Sequence, residues 1–371
     1  MPLKIFIITG EPSGDLHGAN LVKALHQENS DLEIKCWGGN RMEAAGAKVL
    51  KHIDELAFMG FVEVAANIRT ILKNFDLCEK HIREFQPDLV VFIDYPGFNL
   101  RIAKRLKKLG IKTAYYISPQ IWAWKENRVK QIKAYIDHVF VILPFEKAFY
   151  NKHGVDAQFV GHPLLDEIKH IEVDEVAFRT KHQLEATKPI IALLPGSRTQ
   201  EISKLLEPMA QIIKDFPAHQ FVVSKVAWQP LSIYQNALPS SVKMIEGNTY
   251  QLLKIAEAAI VTSGTATLET ALINTPQVVV YKANWLSVMI ARQLVKIKYI
   301  SLVNLILDKE VVRELIQQEV NTANLKQELS YIIAGGKKRQ EILDQYALLR
   351  EKLGNSGASE LVAKALLKII H

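Results

Sequence analysis

The sequence predicts an α/β protein made of two doubly wound domains that face each other across a cleft. Three observations predict it. Short, almost wholly apolar runs alternate with amphipathic helical stretches, the pattern of a parallel sheet covered on both faces. The alternation pauses in a polar, charged stretch at 164–188 and then restarts. A length of 371 residues suits two domains, and a hydrophobic content of 49% is enough to fill two cores.

In chain order, Lys4–Thr9, Glu33–Trp37, Leu89–Ile93, Thr113–Ile117, His138–Leu143 and Ala157–Val160 read as buried strands. Helical patterns such as Gly18–His26 and Leu100–Leu109 lie between them. After Gly161-His162-Pro163 the pattern weakens, which makes 164–188 the expected linker. Strands resume at Ile190–Leu194, Gln220–Ser224, Lys243–Ile245, Ala259–Val261 and Gln277–Tyr281. The tail from Leu325 to His371 reads as helical, broken at Gly335-Gly336 and at Gly354-Asn355-Ser356-Gly357.

Composition narrows the functional classes. No stretch reaches the roughly 20 apolar residues of a membrane-spanning helix, and the start Met1–Ile8 lacks the features of a signal peptide. A cytoplasmic protein is therefore expected. Cys36 and Cys78 cannot build a disulfide framework and read as reduced thiols. The net charge of +7 favours anionic partners. Without a nucleic-acid motif, phosphorylated small molecules and acidic lipid lead. No D-x-D pair, metal-spaced His/Cys/carboxylate cluster, P-loop or G-x-S-x-G elbow occurs, so neither a metal nor another cofactor is expected.

Ligands of such sheets bind beyond the carboxyl ends of the strands, so the loops there carry most weight. The first is Gly10-Glu11-Pro12-Ser13-Gly14-Asp15-Leu16-His17-Gly18, whose glycines permit close backbone approach and whose helix start offers N–H groups to an anion. A plain strand–helix turn with Ser13 or Asp15 as N-cap is the other reading. The spacing is not that of a dinucleotide site. Next, Asp94 opens Asp94-Tyr95-Pro96-Gly97-Phe98-Asn99 at a strand mouth, where a general base belongs and where a turn aspartate also belongs. Ser118–Trp124 brings Trp122 and Trp124, either as the wall of a sugar or acyl pocket or as core.

In the second half, Leu194–Glu201 presents Gly196, the hydroxyl of Ser197 and the permanent cation of Arg198, all suited to a diphosphate. Ser263-Gly264-Thr265-Ala266-Thr267-Leu268-Glu269 offers hydroxyls and N–H groups to phosphate, with Glu269 available for ribose hydroxyls; a capping arrangement explains the same residues. Along 58–75, Phe61, Val64, Ile68, Ile71, Leu72 and Phe75 fall on one helical face beside Arg69 and Lys73. That stripe fits an ordinary core helix or one lying in a lipid interface. Trp285–Ile300 is a second basic, apolar stretch.

These motifs together resemble the lipid-A-disaccharide synthase family over essentially the whole chain. The matching stretches are Gly10–Asp15, Met59–Val64, Ile93–Asn99, Ser118–Trp124, Leu143–Glu146, Leu194–Arg198, Ser263–Glu269 and Ser301–Leu305. The resemblance implies two Rossmann-like domains of the GT-B type, with a helical C-terminal tail crossing back. The expected bounds are 1–165 for the acceptor and membrane domain, 166–345 for the nucleotide-sugar domain, and 346–371 for the returning helix. It implies an inverting transfer from UDP-2,3-diacylglucosamine to 2,3-diacylglucosamine 1-phosphate (lipid X), giving the β(1→6) disaccharide phosphate and UDP.

By position, the resemblance makes Asp94 the base on the acceptor hydroxyl and Glu11 the second candidate. Ser197, Arg198, Ser263, Gly264, Thr265, Glu269 and Asn304 fall to the UDP-sugar. The membrane and acceptor residues are Phe61, Val64, Ile68, Arg69, Ile71, Leu72 and Lys73. Val303 stands where the family usually has proline, so the loop presenting Asn304 is expected to be less rigid. The implied setting is the inner leaflet of the cytoplasmic membrane, with peripheral attachment, no nucleic acid and an allowed homodimer. The rival readings are another UDP-sugar enzyme of the same fold, such as a UDP-N-acetylglucosamine 2-epimerase, and a non-catalytic lipid- or nucleotide-binding protein.

Overall fold

The computed structural model describes residues 2–56, 68–124, 126–169, 171–283 and 298–370. They form two compact units: Met1–Pro163 joined by Asn355–His371, and Leu164–Gly354. The first unit holds parallel strands β1 (Leu3–Ile8), β2 (Leu32–Gly38), β3 (Lys48–His52), β4 (Leu89–Ile93), β5 (Thr113–Tyr116), β6 (His138–Val141) and β7 (Ala157–Phe159). Their order is β3-β2-β1-β4-β5-β6-β7. Because side chains alternate along a strand, Phe6, Ile8, Phe92 and Tyr115 face one core while Ile5, Ile7, Val91 and Ala114 face the other.

The strand order reverses between β1 and β4, and the helices follow that reversal. Helices Pro12–Glu28 and Asn40–Ala44 lie on the face of Ile5 and Ile7. Helices Ile68–Phe85, Pro96–Lys107, Val129–Tyr135 and Pro144–Lys152 contribute to the core of Phe6 and Phe92. The opposite face of β4, β5 and β6 is covered by the C-terminal helix Ala358–Ile370. There Val362, Ala363 and Leu366 join Ala114, Tyr116 and Phe140, and Lys112 Nζ donates to the Ile369 carbonyl at 3.2 Å. This helix therefore completes the first unit's second apolar layer.

The second unit carries β8 (Ile190–Leu194), β9 (Gln220–Lys225), β10 (Lys243–Glu246), β11 (Ala258–Thr262), β12 (Gln277–Tyr281) and β13 (Glu314–Ile316), again all parallel. Their order β10-β9-β8-β11-β12-β13 reverses between β8 and β11. The stretch 164–188 is not a linker. It folds as helices Leu164–Ile168 and Glu175–Lys181, Phe178 and Leu184 enter the second core, and buried Arg179 donates to the carbonyls of Glu185 (2.7 Å) and Lys188 (3.1 Å). Edge strands β3 and β13 were not legible in the sequence: one reads Lys-Val-Leu-Lys-His and the other spans three residues. The tail breaks fall where the glycines stand, between helices Thr322–Ile332, Arg339–Leu353 and Ala358–Ile370. The expected boundary at 346 lies inside Arg339–Leu353, which stays in the second unit.

The first loop also departs from expectation. Helix Pro12–Glu28 starts with proline at its first position and Glu11 as N-cap, without a side-chain capping bond. Asp15 lies within the helix and acts at a distance: its buried carboxylate accepts from the backbone N–H of Gly39 (2.7 Å), Arg41 (3.1 Å) and Met42 (3.2 Å), so it caps Asn40–Ala44. Asp15→Ala would strand those donors in the interior. Urea unfolding should show a loss of about 1–3 kcal/mol, with Asp15→Asn losing less.

Candidate active site

Both strand-order reversals are bordered by loops that the sequence singled out. In the first unit they are Gly10–Gly18 after β1 and Asp94–Asn99 after β4. Asp94 and Tyr95 both have left-handed backbones, with φ of 44° and 51°, which non-glycine residues adopt only when their surroundings enforce it. Here the surroundings do: the Asp94 carbonyl accepts from Asn99 Nδ2 at 2.7 Å and Tyr115 Oη at 2.5 Å. The Tyr95 ring lies against Gly10, where an added Cβ would sit 2.5 Å from it. It also stacks on Phe98, which stacks on Phe75 at 4.7 Å.

This turn holds the Asp94 side chain half-buried. Burial first, and the negative charge of Glu11 second, push its carboxyl up to about 6, against the Tyr95 N–H that pulls it down. Neither Asp94 nor Glu11 caps a helix through its side chain; Tyr95 is the N-cap of Pro96–Lys107. Glu11 itself is exposed. Within the first loop, burial lowers His17 to about 4, and burial together with His17 lowers His162 to about 3, so both rings are neutral at neutral pH.

Trp122 is half-buried, crosses Phe145 edge-on at 4.8 Å and donates its indole N–H to Glu146 Oε1 at 3.0 Å. Glu146, which the residue-by-residue reading missed, is buried and also accepts from Leu143 N; burial raises it to about 7 against those hydrogen bonds. The side chain of Trp124 lies outside the described residues.

In the second unit the loops after β8 and β11 border the reversal. Gly196 has φ of 111°, leaving Ser197 and Arg198 exposed. Glu201 Oε2 accepts from the N–H of both Ser197 and Arg198 at 3.3 Å, and its Oε1 pairs with the Arg198 guanidinium at 3.2 Å. In this state an internal carboxylate thus occupies the donors that suit a diphosphate. After β11, Gly264 (φ 148°) is the N-cap of Thr265–Leu272 without a side-chain bond. The capping reading of Thr265 and Glu269 therefore falls away. Glu269 instead bonds the Tyr250 hydroxyl, and burial pushes both groups up. Ser263 Oγ donates to the Ile300 carbonyl at 2.8 Å.

Asn304 needs a correction as a direct ligand. It is fully buried, its Nδ2 donates to Val312 O (2.8 Å) and Glu314 Oε1 (2.9 Å), and its Oδ1 accepts from Val311 N and Val312 N. All four of its hydrogen-bonding positions are taken, which makes it a brace. Glu314 completes the brace by accepting from Ile300 N and Ser301 N, both at 2.9 Å. Val303 sits fully buried in helix Leu302–Leu307, so the segment is anchored without proline.

Of the membrane candidates, Phe61 and Val64 lie outside the described residues, as does most of Trp285–Ile300. Ile68 and Arg69 begin helix Ile68–Phe85, with side chains outside the description. Ile71 packs on the core and Phe75 is buried in it, whereas Leu72 is 54% exposed and Lys73 is exposed. The described part of the apolar stripe, Ile71, Leu72 and Phe75, is thus shared between core and surface.

The sequence profile of the lipid-A-disaccharide synthetase family matches residues 5–369. The chain is 38% identical over 371 residues to a lipid-A-disaccharide synthase of Coxiella burnetii, covering 99% of this chain and 98% of that one. It is 39% identical over 375 residues to that of Syntrophus aciditrophicus, covering 99% and 97%. Among solved structures, the UDP-GlcNAc 2-epimerase from Neisseria meningitidis bound to UDP-GlcNAc superposes with a TM-score of 0.70 at 14% identity, covering 99% and 100%. The calicheamicin glycosyltransferase CalG4 superposes at 0.63, also 14% identical, covering 99% and 98%. At such identities these structures share the fold alone, which is the GT-B arrangement of parallel sheets.

A raised carboxyl can be tested directly. Carbon-13 NMR of labelled aspartate, assigned with Asp94→Asn, should give Asp94 a midpoint near pH 6. Glu11→Gln removes the negative charge that disfavours ionisation, so the midpoint should fall.

Proposed function

The chain belongs to the lipid-A-disaccharide synthetase family, and we propose that within it Asp94 is the base and Arg198 the diphosphate ligand. The protein is a glycosyltransferase of lipid A biosynthesis, joining UDP-2,3-diacylglucosamine to 2,3-diacylglucosamine 1-phosphate with release of UDP. The fold alone does not select this activity, because its neighbours include epimerases as well as transferases. Family membership along the whole chain does.

Inversion at the anomeric carbon requires the acceptor hydroxyl to attack as the diphosphate departs from the opposite side. The observation that carries Asp94 is a desolvated carboxylate at the β1/β4 reversal, with its carboxyl near 6. It is ionised at neutral pH and basic enough to accept a proton as the hydroxyl attacks. Glu11, exposed, adds to that basicity through its charge, second to burial. Arg198 and the N–H groups of Ser197, Gly264 and Thr265 meet the charge that moves onto the leaving diphosphate. Glu201 must yield those donors when the donor sugar-nucleotide arrives. Ser263 and Asn304 hold the adjoining segment in shape, and Glu269 accepts from ribose hydroxyls.

The cytoplasmic face of the inner membrane is the proposed place of work, with peripheral attachment. Among the described residues no helix is long and apolar enough to cross a membrane. Exposed Leu72 and Lys73, together with the net charge of +7, support contact with an anionic surface. A homodimer that exchanges tail helices is also proposed; Gly354 and Gly357, with φ of 82° and 106°, frame the joint such an exchange needs.

A mixed-micelle assay with both lipid substrates tests the reaction. Wild type should yield disaccharide and UDP, and Asp94→Asn should lose about 10²–10⁴ in turnover while binding UDP within about twofold. A mutant with near-normal turnover would remove Asp94 as the base and bring Glu11 forward. Arg198→Ala should instead weaken UDP binding itself, read by calorimetry, because the ligand loses its main cation.

A further inference from the structure

Beyond the motifs, the second unit exposes one aromatic side chain whose placement the activity has not yet used. Trp228, between β9 and helix Leu231–Gln235, is 71% exposed, and it is the only aromatic among the exposed large hydrophobics of the described residues. It is also held. Its indole Nε1 donates to the Ser197 carbonyl at 3.2 Å, and Gln229 Nε2 donates to the same carbonyl at 3.0 Å. Gln229 Oε1 in turn accepts from Thr199 Oγ1 at 3.0 Å. The ring is therefore tethered by one edge to the loop that carries Arg198, with most of the side chain left to water.

The neighbouring loops are joined to that one. Ser224 Oγ and Thr249 Oγ1 lie 2.6 Å apart, linking the ends of β9 and β10, and Tyr250 bonds Glu269 in the helix after β11. The carboxyl-end rim of this sheet thus offers a cation at Arg198, a carboxylate at Glu269 and a fixed indole at Trp228. A nucleoside diphosphate carries three matching chemistries: a diphosphate, ribose hydroxyls and a planar base. The first two have partners on this rim. We propose that Trp228 supplies the third, a stacking face for the nucleobase of the donor. Because the indole N–H is spent on Ser197, the contact is through the ring face and not through hydrogen-bonded readout of the base. The proposal deepens the donor-site reading above and rests on it.

Calorimetry on the full chain, with UDP and inorganic pyrophosphate as separate probes, tests it. Trp228→Ala should weaken UDP by about 5- to 150-fold, the span of base–aromatic stacking, and change pyrophosphate by less than about twofold. Trp228→Phe keeps a ring but lacks the N–H, so it should retain most of the UDP affinity. UDP binding should also quench indole fluorescence in wild type but not in Trp228→Phe. Equal losses in the Ala and Phe variants would make the side chain a tether for Ser197 and overturn the proposal. Equal losses for UDP and pyrophosphate would mean a collapsed loop and overturn it as well. Unchanged UDP affinity with lost binding to anionic phospholipid vesicles would assign the indole to the lipid surface instead. A wild-type protein that binds neither probe would overturn the donor-site reading, and this proposal with it.

Discussion

A parallel sheet that grows outward in both directions from its middle must, where the strand order reverses, send adjacent loops to opposite faces. The gap this opens is a geometric consequence of connection handedness, and most of the chemistry described above depends on it. Glu11 and Asp94 follow β1 and β4; Arg198 and the Ser263–Glu269 segment follow β8 and β11. In each unit these are the strands at the reversal. The same winding sends the later helices of the first unit to one side, which leaves the other side of β4–β6 to be covered by Val362, Ala363 and Leu366. One topological rule therefore places the functional loops and also gives the C-terminal helix its seat.

Three carboxylates show how surroundings divide the roles of one chemical group. Asp15 is buried and satisfied by three backbone donors, so it holds a neighbouring helix. Glu201 is paired with Arg198 and two N–H groups at an exposed loop, where an incoming anion can compete for the same donors. Asp94 is desolvated, lies near another negative charge and is pushed up to about 6. Asp94 has an environment that raises its basicity, which is what a proton acceptor needs.

Much of this was legible in the sequence because it is local. Strands such as Leu89–Ile93 are apolar throughout since both faces are covered, and glycine or proline marks the loops that follow. What stayed hidden depends on partners far along the chain. Nothing near Asp15 indicates that it serves Gly39 and Met42, and nothing near Asn304 indicates that Val311 and Val312 consume its carbonyl oxygen. Edge strands β3 and β13 lack a second buried face and so lack the apolar run that would betray them. The polar stretch 164–188 misled for a related reason: its short helices and the turn after them bury only Leu164, Phe178, Arg179 and Leu184, too little to stand out against its charges.

The left-handed pair Asp94–Tyr95 brings these levels together. A loop relaxed by glycine would place a carboxylate less firmly, and a side chain free to turn into water would lose the desolvation that raises its basicity. The chain accepts an unfavourable backbone at both residues and stabilises it with Tyr115 on the next strand, with Asn99, and with the Tyr95–Phe98–Phe75 stack carried by the flanking helices. Gly10 across the reversal is what lets the Tyr95 ring lie flat there. The two loops at this reversal thus form one device, in which the first makes room for the turn that the second needs to hold its carboxylate.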